Sequence, residues 1–313
     1  MNPQATFAVT GAFGYSGRYI AERLLAEGHV VRTLTNSPGR ESPLAGRVEV
    51  HPLAFADASA LKLALTGADV LVNTYWVRFN HRDFTFAQAI ENSLRLFDAA
   101  KAAGVRRIVH VSITNPSEDS PFEYFRGKAR LERALGELGL SHAILRPAVL
   151  FGGEDILINN IAWMLRHLPL FGVFGDGRYK LQPIHVEDLA ALVVEHARGT
   201  EDVVVDAIGP ETFVYRELVE TIAQAIGVHK RIMSIAPWQG LAASKTLERI
   251  TGDVLITREE IGGLMAGLLA TDSAPTGTTR LSDWARANAA NLGRHYHSEL
   301  ARRGDRHRAH KES

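Results

Sequence analysis

Tyr124-Phe125-Arg126-Gly127-Lys128 sets a phenol and an ammonium four residues apart, the spacing that brings two side chains onto one face of a helix or its lead-in. A tyrosine with its ordinary pKa of about 10 exchanges protons poorly at neutral pH unless a nearby cation favours the phenolate. Lys128 is placed along the chain to supply that charge and to bind a ribose. The pair suits hydride-transfer chemistry, with Tyr124 exchanging a proton with a carbonyl or alcohol oxygen. Ser112 and Thr114 follow the apolar run Arg107-Ile108-Val109-His110-Val111. Either hydroxyl would hold such an oxygen, and each reads equally well as a cap on its own loop.

A second constellation lies near the start of the chain, Thr10-Gly11-Ala12-Phe13-Gly14-Tyr15-Ser16-Gly17. Its glycines are three apart: Gly11 for a tight turn, Gly14 for close approach of a pyrophosphate, Gly17 for tight packing of helix on strand. The anion then rests against the N–H groups at the positive end of the following helix. Spacing counts for little in a chain with 27 glycines. Position counts for more, since the motif ends a first strand, Phe7–Thr10, and opens a helix over Tyr15–Ala26. Phe13 and Tyr15 in the loop and Thr74 after a later strand complete the candidate cofactor set. No acid follows the second strand before Glu41, and Arg40, with Arg18 or Asn36, is placed to meet a 2′-phosphate. NADP is therefore the expected cofactor, with NAD as the alternative.

The elements that must position these residues alternate. Strands are expected at Val30–Leu34, Val48–Val50, Val70–Val72, Arg107–Val111 and Ala143–Leu145. Helices are expected near Ser59–Leu65, Phe84–Ala103 and Gly127–Leu138. That rhythm predicts an α/β fold, a Rossmann-type doubly wound parallel sheet with a smaller, mainly helical C-terminal lobe. The expected division is residues 1–152 as the dinucleotide-binding domain, with 182–208 returning to it. Residues 153–181 and 209–301 then form the substrate lobe, and 302–313 a polar tail. Leu157–Leu168 reads as a helix over the substrate.

Composition narrows the classes further. The 313 residues carry 46 % hydrophobic and 22 % charged side chains, as an ordinary globular protein does. Thirty-five basic and 35 acidic residues cancel, so nothing in the charge balance points to nucleic acid or an anionic membrane. The chain has no cysteine, which excludes disulfides, thiol catalysis and Cys-ligated metals. Among 13 histidines the closest pair, His295 and His297, lacks a zinc-like third ligand, and no metal is expected. Without a leader-like start or a long apolar run, the reading is a cytoplasmic protein with no membrane span, a monomer or homodimer acting on a small molecule.

Taken together, these residues resemble the short-chain dehydrogenase/reductase superfamily in its extended and atypical branches. The likeness rests on the Gly11–Gly17 loop, Ser112, the Tyr124/Lys128 pair, and Arg146-Pro147 followed by Phe151-Gly152. Within the superfamily the chain resembles the family of the 39-kDa accessory subunit of respiratory complex I and its bacterial NAD(P)-binding relatives. Tyr124–Lys128, Arg146–Asp155 and Gln182–Leu189 carry that likeness. The resemblance implies an NAD(P)-binding oxidoreductase or epimerase-like enzyme, with Tyr124 as acid/base, Lys128 as ribose anchor, and Ser112 or Thr114 orienting a carbonyl. It also implies a cofactor lying from the glycine loop to Pro147. Some atypical members bind NADP(H) without catalysing anything, which leaves a sensor or assembly subunit as the alternative. Leu53-Ala54-Phe55 stands where extended members carry a Gly-Asp-Leu turn, so an adenine contact falls to backbone or to Asp57. The aromatic segment Asn73–Phe79 either shapes a substrate pocket or packs under its neighbouring loop.

Overall fold

The structure is a computed structural model that describes residues 4–300. The expected polar tail at 302–313 lies outside the described residues. In chain order the elements are β1 (Thr6–Thr10), α1 (Tyr15–Ala26), β2 (Val30–Thr35), β3 (Glu49–Pro52), α2 (Ala58–Leu65), β4 (Val70–Asn73) and α3 (Phe86–Ala102). There follow β5 (Arg107–Val111), α4 (Glu123–Glu137), β6 (Ser141–Pro147), β7 (Val149–Phe151), α5 (Leu157–His167), β8 (Leu170–Phe174), β9 (Lys180–Leu181) and β10 (Pro183–His185). The remainder is α6 (Val186–Ala197), β11 (Val203–Ala207), β12 (Phe213–Val214), α7 (Tyr215–Ala225), β13 (Arg231–Ile235), α8 (Pro237–Thr251), α9 (Arg258–Met265) and α10 (Leu281–Ala287).

Two compact units result: one takes the chain up to Arg146 together with Leu189–Val205, the other Pro147–Asp188 and the residues from Asp206 on. A seven-stranded sheet in the order β11-β6-β5-β4-β1-β2-β3 organises the first. β1 pairs in parallel with both β2 and β4, and the parallel pairing continues outward to β3 on one side and through β5 to β6 on the other. Its inner strands β1, β4 and β5 are near-continuous buried runs because helices cover both faces. Leu71, Ile108, Leu96, Phe97 and Leu131 are buried together in its core. Arg107 pins the returning segment: its guanidinium donates to the carbonyls of His196 (2.8 Å) and Glu201 (2.9 Å) and to the Ser141 hydroxyl.

The second unit is built from short pairs, β7 with β10, β9 with β12 and β8 with β13, around helices α5 and α7. Residues 147–152 and 182–188 lie here, because Val149–Phe151 registers against Pro183–His185 in parallel. Asp188 ties the chain ahead of α10 by accepting from the backbone N–H groups of Thr278 and Thr279, each at 2.8 Å. His295 and His297 are docked, not free: their carbonyls accept from Asn159 (2.8 Å) and Asn160 (2.9 Å) of α5.

One expected boundary moved. The helix carrying Tyr124 begins at Glu123, not Gly127. Glycine usually weakens a helix interior, but a Cβ at Gly127 would come within 2.9 Å of Trp76 Cη2. Tertiary packing therefore keeps a glycine inside α4, and the acid Glu123 suits its first turn.

Candidate functional site

The sheet order reverses between β1 and β4: from β1 the chain runs outward to β2 and β3, then returns to β4 on the other side. The crevice beyond the carboxyl ends of two such strands is where open α/β sheets hold ligands. Thr10 and Thr74 build its floor. The Thr10 hydroxyl accepts from the N–H of Thr74 (2.8 Å) and Tyr75 (3.1 Å), while the Thr74 hydroxyl donates to the Thr10 carbonyl (2.6 Å).

Gly11 leaves β1 at φ +67°, a left-handed conformation open to glycine. The Gly14 N–H then donates to the Gly11 carbonyl at 2.7 Å, closing the turn. A Cβ at Gly17 would stand 2.3 Å from that same carbonyl oxygen, so only glycine lets α1 start this close to β1. Gly14 is the N-cap and has no side chain to cover the helix end. A helix N-terminus without a side-chain cap at a switch point fits a dinucleotide pyrophosphate by geometry and by dipole. Phe13 is buried beneath this loop, and Tyr15 opens α1 with its ring edge-on to Tyr19.

Past β2, Asn36 is exposed and Arg40 half-buried, its N–H donating to Ser37 O at 3.2 Å. Arg18, in the first turn of α1, lies over the Tyr19 ring at 4.8 Å and 3.8 Å from Glu22. Asp57, a candidate for adenine, instead caps α2, accepting from the N–H groups of Ser59 (2.9 Å) and Ala60 (3.0 Å). Pro147 ends β6 and is buried.

Tyr124 and Lys128 both lie in the first turns of α4, which follows the carboxyl end of β5. Lys128 is only 2 % exposed. Its Nζ donates to Val111 O at 2.8 Å and sits 4.5 Å from the centroid of the Trp76 ring. Burial lowers the ammonium to about 7, and the Glu132 carboxylate partly opposes that fall. Trp76 also meets the Tyr124 ring edge-on at 5.7 Å and stacks on Phe86 at 6.0 Å. The aromatic segment after β4 thus packs against α3 and α4, with Val77 and Phe79 buried beside it. His110 of β5 is fully buried and its Nδ1 is 3.1 Å from Asn73 Nδ2. Desolvation first, and Lys128 second, hold it well below the usual imidazole range, so it stays neutral.

The two candidate hydroxyls are not equivalent. Ser112 Oγ donates its single proton to Glu132, whose carboxylate also binds Arg146 through Nε (3.1 Å to each oxygen) and Nη2. A serine so committed cannot also donate to a substrate oxygen. Thr114 is fully buried beyond it. Sequence reasoning did not single out Glu132, and it named Trp76 only within the aromatic segment Asn73–Phe79. Glu132 had a signal, four residues after Lys128 on the same helix; Trp76 had none tying it to Lys128.

A glycine loop at the switch point, leading into a helix without a side-chain cap, defines a dinucleotide-binding protein of the Rossmann class. Residues 11–200 match the NAD(P)H-binding family, and the chain belongs to it. It is 27 % identical over 233 residues to the mitochondrial NADH dehydrogenase [ubiquinone] 1 alpha subcomplex subunit 9 of Dictyostelium discoideum, covering 72 % of this chain and 65 % of that protein. To the Arabidopsis thaliana protein of the same name it is 29 % identical over 230 residues, covering 70 % and 57 %. The matches therefore span less than two thirds of these relatives' length. An NADPH-dependent quinone oxidoreductase from Escherichia coli, complexed with NADPH, shares the fold at TM-score 0.74 and 22 % identity over 90 % of this chain and 99 % of that one. A triphenylmethane reductase from Citrobacter sp., complexed with NADP(H), does so at TM-score 0.71 and 18 % identity over 91 % and 99 %. The likeness to complex I accessory subunits and to epimerase- and reductase-type folds read from the sequence is thus shown. Among the described residues no helix is long and apolar enough to cross a membrane, and no cluster of His, Asp and Glu could hold a metal ion.

Proposed function

We propose that this chain is an NADP(H)-dependent oxidoreductase of the short-chain dehydrogenase/reductase type, acting on a small carbonyl or alcohol. The observation that carries the proposal is the placement of Tyr124 and Lys128 one helical turn apart, directly after the strand beside the switch point. Gly11, Gly14 and Gly17, with the N-terminus of α1, hold the pyrophosphate; Phe13, Tyr15 and Thr74 line the crevice; Asn36 and Arg40 meet the 2′-phosphate. When bound, the nicotinamide supplies or accepts a hydride. Tyr124 gives the proton to the substrate oxygen on reduction and takes it back on oxidation. Lys128 holds the nicotinamide ribose and, while charged, favours the phenolate. Ser112, whose proton belongs to Glu132, takes no part in donating to the carbonyl.

The second reading is a dinucleotide-holding sensor or assembly subunit that turns nothing over. The burial of Lys128, which withdraws its charge near pH 7, favours it. So does the similarity to subunits of a respiratory NADH dehydrogenase, which would make the partner a protein instead of a small molecule. Titration with NADPH and NADH, followed by NADPH oxidation with carbonyl and quinone acceptors, separates the readings. Selective NADPH binding, turnover, and loss of turnover in Tyr124→Phe with binding intact support the enzyme. Binding without turnover of any acceptor supports the holder, and failure to bind either nucleotide overturns both.

A further inference from the structure

Lys128 can anchor a ribose only if its ammonium is reachable, and in this structure an indole is in the way. The Lys128 Nζ faces the Trp76 ring at 4.5 Å, and the residue is 2 % exposed. One N–H is used on Val111 O at 2.8 Å. Among the described residues the others have only the aromatic face as acceptor, which is weaker than a pair of ribose hydroxyls. The seat of the indole is built into α4: a Cβ at Gly127 would lie 2.9 Å from Trp76 Cη2.

The same seat leaves the indole poorly satisfied. Trp76 Nε1 is buried and, among the described residues, has no hydrogen-bond partner. A buried donor without an acceptor carries a desolvation penalty that moving out relieves. The residue is only half-buried, so one side of it already borders solvent. Stacking on Phe86 and edge contact with Tyr124 hold it against that penalty.

We propose that Trp76 is a positioning residue for Lys128, a removable cover that occupies the place of the nicotinamide ribose on the ammonium and must leave before the dinucleotide is fully seated. The proposal rests on the NADP(H) reading above. It predicts that the cover opposes the nicotinamide half of the ligand and leaves the adenine half untouched.

The test compares NADP+ with adenosine 2′,5′-bisphosphate, which has the phosphate end and no nicotinamide ribose, by calorimetry at pH 6, where Lys128 carries its charge, on the wild type and Trp76→Ala. The expected result is tighter NADP+ binding by the variant, on the order of tenfold as a desolvated cation–π contact implies, with unchanged affinity for the bisphosphate. An unchanged ratio of the two affinities overturns the proposal. Because the variant leaves a hole beside Phe86, a crystal structure of the wild type with NADP+ is the second measurement. The cover predicts the indole displaced beyond about 6 Å from Nζ, the outer limit of a cation–π contact, with a ribose hydroxyl in its place. Bound NADP+ with the indole still on Lys128 refutes the cover alone. Failure of NADP+ to bind the wild type refutes the cofactor reading, and the cover with it.

Discussion

Replacing Lys128 by methionine removes a charge from the interior while keeping an unbranched side chain of similar length. Lowering the ammonium from its ordinary 10.5 to about 7 amounts to roughly 5 kcal/mol against the charged form. Between those two pH values the unfolded chain holds a proton that the folded chain does not. Wild-type stability therefore rises with pH across that window and is lowest below pH 7. Lys128→Met has no such dependence. It forgoes the Val111 hydrogen bond and the Trp76 contact, together about 2 kcal/mol. The variant should be the more stable protein at pH 6 by about 2 kcal/mol or more, and its advantage should shrink by roughly 2 kcal/mol between pH 7 and pH 9. Urea unfolding of both proteins at pH 6, 7, 8 and 9 measures this: titrating groups not coupled to Lys128 cancel in the difference, and His110, which Lys128 helps hold well below the usual imidazole range, is neutral in the folded protein. A gap constant to within about 0.5 kcal/mol from pH 7 to pH 9 would show that Lys128 keeps its charge in the folded state. The result bears on function, since a lysine neutral above pH 7 cannot favour the Tyr124 phenolate.

Gly17→Ala forces a Cβ to 2.3 Å from the Gly11 carbonyl, so the loop must shift. We expect a loss of roughly 1–3 kcal/mol in stability and at least about tenfold weaker NADPH binding; wild-type affinity in a fluorescence titration would contradict the loop assignment. Arg40→Ala should weaken NADPH by about tenfold and leave NADH unchanged, and equal effects on both would remove Arg40 from the 2′-phosphate. Glu132→Ala strips the carboxylate from Ser112 and Arg146. Its cost should be about 3 kcal/mol by chemical denaturation, toward the low end for a broken buried pair because the Arg146 side chain is 29 % exposed.

The legible parts of this protein are those whose physics is local. A left-handed Gly11, an uncapped Gly14 and a crowded Gly17 are demands of one short turn, and the glycine pattern states them in consecutive residues. The strand-to-helix rhythm is equally local, and it led to the right sheet. The Tyr124/Lys128 spacing likewise identified a pair on one helix, although the glycine between them suggested too late a start for α4. Thr74 and Thr10 were visible as residues at strand ends, but their mutual hydrogen bonds depend on β1 and β4 being neighbours.

What the tertiary structure decided is how the reactive groups are committed. Ser112 and Thr114 were interchangeable along the chain; β6 brings Arg146 to Glu132, and the buried carboxylate then takes the serine proton. Lys128 looked like an available cation until packing set Trp76, from a different strand end, on its face and Val111 O on its Nζ. Charge and accessibility are properties of surroundings assembled from distant segments, so no spacing rule along the chain encodes them. The sequence by itself therefore determined that a glycine-rich turn and a Tyr–Lys pair exist on a doubly wound sheet. Only the folded chain determined that the lysine is buried, that burial lowers its ammonium, and that an indole covers it.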